Sequence, residues 1–155
     1  MKFVGCRIKL VSRCVNVGAK YYEQGARFAK WRNVLYITEN TPSDAAILDC
    51  VTTLAQYAAT CQSEGLVPIV EPEVSLDGNH DIETCKEVTR KVWKMQYEVL
   101  QQYGVLMEGM LFKPAMIVPG ADAPKKEPAE KVAKYTLDVM KVHPLVWTPW
   151  RAVVS

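Results

Sequence analysis

One lysine interrupts an otherwise apolar run. From Val105 to Val118 the charged residues are Glu108 and Lys113, the latter set in Leu111-Phe112-Lys113-Pro114-Ala115-Met116. An ammonium group is strongly hydrated, so a lysine expected in a buried strand must snorkel outward, pair with a carboxylate, or act as a neutral nucleophile. A neutral amine beside a carbonyl carbon can form a Schiff base. Two further stretches could surround it. Phe28-Ala29-Lys30-Trp31-Arg32 carries two cations two positions apart, and Ile69-Val70-Glu71-Pro72-Glu73 carries two carboxylates in the same spacing. On a strand, residues two apart share a face, so each pair is expected to point one way.

The elements that must position these groups follow from the spacing. Lys30 precedes Glu71 by 41 positions and Lys113 follows it by 42, an interval that accommodates one strand, one helix and their loops. Repeated βα units give a parallel sheet with the charged residues at the carboxyl ends of consecutive strands. The sequence therefore predicts an α/β chain. Strands are expected over Phe28–Ile37, over Leu66–Val70 with Pro72 marking the end, and through Lys113.

Helix signals lie between the strands. Thr41 suits an N-cap with Pro42 at the first helical position, and an apolar stripe through Leu48, Val51, Leu54 or Ala55, and Ala58 runs on toward Gly65. The next helix is expected from about His80 to Tyr103, capped by Asn79, with Ile82, Cys85, Val88, Val92, Val99 and Leu100 inward and Trp93 and Tyr97 as packing residues. Gly104 supplies its stop. A last helix is expected over Ala129–Val142, with Val132, Tyr135 and Val139 inward. Tyr21 to Gly25 reads as a final helical turn, and Cys6-Arg7-Ile8-Lys9-Leu10 has the alternation of a half-buried strand.

These stretches resemble class I fructose-bisphosphate aldolases. The likeness is carried by Gln24-Gly-Ala-Arg-Phe-Ala-Lys-Trp-Arg32, Gly65-Leu-Val-Pro-Ile-Val-Glu-Pro-Glu73, Leu76-Asp-Gly-Asn-His-Asp81, and Glu108-Gly-Met-Leu-Phe-Lys-Pro-Ala-Met116 leading to Pro119-Gly120. It extends from about Tyr21 to Met140. Tyr21-Tyr22-Glu23-Gln24-Gly25-Ala26-Arg27 is closer to plant members than to animal ones. The implied fold is a partial (β/α)8 barrel of about three βα units with parallel strands, spanning residues 21–142. A divergent basic segment (residues 1–20) and a divergent tail (residues 143–155) flank it. A whole barrel of this type takes roughly 250 residues, against 155 here.

The resemblance also implies a mechanism and a site. Lys113 would form the Schiff base with the ketose, Glu71 would shuttle protons, and Glu73 would support it. Lys30 would act in catalysis and in substrate binding, keeping Lys113 neutral together with Arg32, which would also reach toward a substrate phosphate. The reaction would cleave fructose 1,6-bisphosphate into dihydroxyacetone phosphate and glyceraldehyde 3-phosphate in glycolysis, with neither metal nor cofactor. The family's strands before the fourth, and its seventh-strand Ser-Gly-Gly phosphate loop, find no counterpart here. An alternative reading is a non-catalytic aldolase fragment acting, if at all, through partner binding. If the barrel is completed, a homo-oligomer is expected.

Composition narrows the other options. Net charge is +2, but Lys2, Arg7, Lys9, Arg13 and Lys20 all precede the first acid, Glu23, leaving 14 basic against 17 acidic residues beyond. Such a body is not a nucleic-acid binder by charge. Five cysteines without a C-x-x-C pair favour free thiols in a reducing compartment, with Cys50, Cys61 and Cys85 packing in helices. No apolar stretch reaches the roughly 18 residues of a membrane span. The acid-free start has a single serine, Ser12, unlike a transit peptide. Cytoplasm is the expected compartment, with plastid as the alternative. Asp77-Gly78-Asn79-His80-Asp81 reads as a turn and helix start rather than a metal site, because one histidine leaves zinc short of ligands.

Overall fold

A computed structural model describes residues 17–141. The expected strand at Cys6–Leu10, the divergent tail and His143 lie outside the described residues. The order is a short helix at residues 17–23 (α1), β1 (Phe28–Leu35), α2 (Asp44–Ser63), β2 (Val67–Val74), α3 (Ile82–Gln102), a 3-10 turn (Met107–Gly109), β3 (Leu111–Phe112) and α4 (Ala129–Met140). The strands form one parallel sheet in the order β1-β2-β3. This is an open α/β layer of parallel strands, as the alternation of elements predicts, and it agrees with the partial barrel that the resemblance implies.

Period-two patterning sorts the sheet into two faces. In β2, Pro68, Val70, Pro72 and Val74 are buried under the helices. In β1, Trp31 leans on Tyr57 of α2, their rings 5.6 Å apart, and the Asn33 side chain donates to the Cys50 carbonyl at 3.0 Å. Phe112 of β3 meets Trp93 edge-on at 5.4 Å and Tyr97 at 5.1 Å, both from α3. Each fully buried side chain of this size is worth roughly 1.5–3 kcal/mol, so this helical layer carries most of the packing. The opposite face belongs to Phe28, Lys30, Arg32, Val67, Ile69, Glu71, Glu73, Leu111 and Lys113. The described residues leave Phe28 65% and Leu111 57% exposed there.

Several boundaries differ from expectation. Strand β2 continues through Pro72 to Val74. Val67 and Ser75 donate to the Arg27 and Leu35 carbonyls, so amides of that parity point to β1. Pro68 and Pro72 have the other parity, and their missing N–H groups lie on the β3 side, outside the short ladder at Ile69 and Val70. Strand β1 ends at Leu35 rather than Ile37. Helix α2 starts at Asp44 with Ser43 as its N-cap, accepting from Ala46 N–H at 3.2 Å. Thr41, the expected cap, is occupied instead with the Tyr36 carbonyl at 2.7 Å. Leu48 faces outward; the buried stripe runs through Ile47, Val51, Leu54, Ala58 and Cys61.

Helix α3 is capped by Asp81, not Asn79, with Thr84 N–H donating to its carboxylate at 2.8 Å. The expected inward residues are buried apart from Val88, which is partly so, and Trp93 and Tyr97 pack as expected. Gly104, in the left-handed region at φ +68°, takes the chain out of the helix. Cys50, Cys61 and Cys85 are buried. Helix α4 packs on α3 through Val139, the Lys86–Asp138 pair and the Lys131–Glu83 pair, and its Thr136 hydroxyl accepts from Ile117 N–H at 2.9 Å. No helix among the described residues is long and apolar enough to cross a membrane.

Candidate functional site

The charged residues converge on the open face of the sheet, but Lys30, Arg32 and Glu71 stand within β1 and β2 rather than at their carboxyl ends, because both strands run on to Leu35 and Val74. Glu71 lies at the centre and is 3% exposed. Its Oε2 sits 2.5 Å from Lys30 Nζ on β1, and its Oε1 accepts from Lys113 Nζ at 2.5 Å, just past β3. Burial alone would push the Glu71 carboxyl upward. The hydrogen bonds and charges of Lys113 and Lys30 outweigh that and hold it below the ordinary carboxylate value.

Arg32 and Glu73 form a second, two-pronged pair. Arg32 Nη2 donates to Oε1 at 2.8 Å while Nε meets Oε2 at 2.6 Å. Both pairings follow one rule of register. Lys30 is level with Ile69 and Arg32 with Glu71, so each cation reaches the carboxylate one same-face position ahead. The backbone fixes the third partner: Lys113 N–H donates to the Val70 carbonyl at 2.9 Å, setting its side chain beside Glu71.

Two expectations for Lys113 change. Its side chain is 55% exposed rather than buried, because it stands on the open face of the sheet, where Leu111 is exposed as well. Moreover, the neighbouring cations do not act on it alone. The Glu71 carboxylate stands between the two ammonium groups, and Arg32 is held by Glu73.

Lys113 opens onto a groove of about 260 Å³ shared with Glu71 and Glu73. The opposite wall is apolar: Val74, Leu76, Ala115, Met116 and Val118. Sequence reasoning missed this wall. The signal was the loop after β2, where the Ser75 hydroxyl donates to Asp77 at 2.9 Å and turns Leu76 toward the groove. It also missed the clamp behind β1, where Trp31 Nε1 donates to Asn33 Oδ1 at 3.0 Å on the helical side of Arg32.

The rim is stitched by backbone bonds. Gly120 N–H donates to the His80 carbonyl at 2.9 Å, Ala121 N–H to Leu76 at 2.7 Å and Asp122 N–H to Gly78 at 2.9 Å. A side chain at Gly120 would meet the Gly78 carbonyl oxygen at 2.1 Å, so this crossing requires glycine. His80 is buried beneath it, and neither ring nitrogen has a hydrogen-bond partner among the described residues.

The site can hold a carbonyl compound against an amine, with a carboxylate placed to take and return a proton. Comparison with known proteins bears on that chemistry. Residues 9–146 match the family model described as fructose-bisphosphate aldolase class-I. The chain is 51% identical over 122 residues to the cytosolic fructose-bisphosphate aldolase 4 of Arabidopsis thaliana, covering 79% of this chain and 31% of that protein. It is 48% identical over 134 residues to the fructose-bisphosphate aldolase of Dictyostelium discoideum, covering 85% and 36%. It is also similar to the Plasmodium falciparum fructose-bisphosphate aldolase, solved in a ternary complex with TRAP and a small-molecule inhibitor. The TM-score is 0.84 at 41% identity, covering 88% of this chain and 40% of that one. The chain thus spans about a third of the length of the curated relatives it matches.

Proposed function

The chain belongs to the class I fructose-bisphosphate aldolase family, and on that premise we propose that its site performs the Schiff-base step of aldol cleavage. The observation that carries this reading is the Glu71 carboxylate held between two amines, one oxygen to each, with Lys113 on the groove side.

Glu71 takes a proton from the Lys113 ammonium, and the free amine attacks the ketose carbonyl. The same proton then returns to the departing hydroxyl, so that water leaves and an iminium forms. The iminium accepts the electron pair of the adjacent carbon–carbon bond as it breaks. Lys30 holds the second Glu71 oxygen and fixes the carboxylate's orientation. Glu73 holds Arg32, which receives a substrate phosphate once its fork is released. The substrate is a phosphorylated sugar, fructose 1,6-bisphosphate, and the setting is glycolysis.

Relatives named cytosolic and chloroplastic both occur, and cytoplasm is the compartment we favour, with plastid as the alternative. A second reading, an aldolase fragment acting through partners, is favoured by the open sheet face. A parallel sheet is normally covered on both sides, whereas Phe28 and Leu111 are exposed on this one. Completion of the barrel by further copies would serve either reading.

The test is incubation of the purified chain with dihydroxyacetone phosphate, reduction with borohydride, and mapping of the adduct by mass spectrometry. Selective labelling of Lys113 is expected. No adduct, or indiscriminate labelling of lysines in folded protein, would overturn the catalytic reading.

A further inference from the structure

The groove beside Lys113 is poorly matched to a phosphate. Of the charged side chains on its wall, Glu71 and Glu73 are carboxylates and Lys113 is the one cation. Lys30 and Arg32 do not line it; each is paired from the far side, Lys30 to Glu71 and Arg32 to Glu73 through both prongs. A phosphate entering the groove would therefore meet two carboxylates before any free cation. The rest of the wall offers apolar surface close to the amine. Leu76 and Met116 are 48% and 65% exposed, with Val74, Ala115 and Val118 behind them.

From this arrangement we infer that the groove also takes uncharged carbonyl compounds bearing an apolar arm, which condense with the Lys113 amine while the arm lies on Leu76 and Met116. The inference rests on Lys113 being the imine-forming residue and adds a second substrate class to that chemistry. With a 1,3-diketone, the Lys113 ammonium passes a proton to Glu71 and its nitrogen attacks one carbonyl carbon. The proton returns to the carbinolamine hydroxyl, which leaves as water. The resulting iminium loses a proton from its central carbon to Glu71, which passes it to solvent, and a neutral conjugated enaminone remains, without oxidant or reductant.

The probes are pentane-2,4-dione and its phenyl-armed analogue, 1-phenylbutane-1,3-dione, applied to the full chain alongside the dihydroxyacetone phosphate and borohydride trap. Enaminone formation is followed by its ultraviolet absorbance and mapped by mass spectrometry, after dividing each rate by that of the same diketone with free butylamine. The expected result is selective labelling of Lys113, with the phenyl-armed reagent about tenfold faster, the scale on which an apolar pocket discriminates. Met116→Ser is expected to bring that ratio toward one. Met116 is largely exposed, so the variant is expected to fold, as circular dichroism would verify. Labelling by the phosphorylated ketone but not the diketones, or equal corrected rates for both diketones, would overturn this inference and leave the Schiff-base reading intact. Labelling by the diketones alone would uphold it and count against the phosphorylated substrate. Failure of every reagent at Lys113 would overturn both.

Discussion

Arg32 and Glu73 are joined by two parallel contacts, from Nη2 to Oε1 at 2.8 Å and from Nε to Oε2 at 2.6 Å. The guanidinium fork is therefore occupied by an internal carboxylate. Any anion recruited by Arg32 competes with Glu73.

Loosening that grip is expected to help an anion. Glu73→Gln should tighten inorganic phosphate binding by about threefold to tenfold, the range of a half-exposed ion pair worth up to ~1 kcal/mol or slightly more. Adding Arg32→Ala to Glu73→Gln should cancel the gain. Isothermal calorimetry on the single and double variants decides the matter; phosphate binding that ignores both substitutions would rule out Arg32 as the receiving group.

Glu71 makes a distinct prediction in acid. Its folded carboxyl lies below the ordinary value of 4.5 because Lys113 and Lys30 favour the anion against the burial that disfavours it. Its contribution to stability is thus complete above about 4.5 and is lost as pH falls through the lower folded value. Glu71→Gln removes the titrating group. The difference in unfolding free energy between the two proteins should be flat above pH 5 and shrink below pH 4.5, measured by denaturant titration across that range.

His80 makes a prediction nearer neutral pH. Burial lowers its value from 6.5, while the nearby Asp81 opposes that shift. The folded protein therefore prefers the neutral ring, and the unfolded chain takes up the proton first. Stability from this residue is full above about pH 6.5 and declines as pH falls toward the folded value. Thermal unfolding between pH 7.5 and 5.5 should show a fall in the wild type that is absent in His80→Gln. A parallel decline in both proteins would assign the effect to other groups.

Gln62 is expected to matter out of proportion to its surface position. Its amide brackets the backbone of Leu106, accepting from Leu106 N–H at 2.9 Å and donating to the Leu106 carbonyl at 2.7 Å. That clasp ties the end of α2 to the approach to β3. Gln62→Ala should cost about 1–2 kcal/mol, two net hydrogen bonds, seen as a lower denaturation midpoint at unchanged slope. An unchanged midpoint would mean that water replaces the clasp.

The central triad was legible because a period of two and intervals of 41 and 42 residues suffice to place Lys30, Glu71 and Lys113 on one face. The helical layer was legible for the same reason, since Val92, Trp93, Leu100 and Val70 are apolar at positions that face each other. What failed depended on partners distant in sequence. Pro72 ends a strand only where a neighbour needs its amide, and β3 is too short to need it. Thr41 and Ser43 are equally good caps locally, and the choice falls to the carbonyl of Tyr36, which engages the first. The exposure of Lys113 and the capture of Arg32 by Glu73 depend on register and on how the sheet is covered, neither of which is written in a single strand.

The two prolines of β2 have a consequence for how the triad finds its alignment. Between Pro68 and Pro72, the residue of the same parity is Val70, which retains an amide to offer β3. If β3 docked two positions too early or too late, every side chain would keep its face, yet a proline nitrogen would stand where the Val70 donor belongs. The lost bond, about 1 kcal/mol, favours the observed alignment roughly fivefold over either slip. A slipped strand would deliver Lys113 beside Ile69 or Glu73. In this way two imino acids that donate nothing to the ladder act as a vernier, setting which carboxylate the lysine meets.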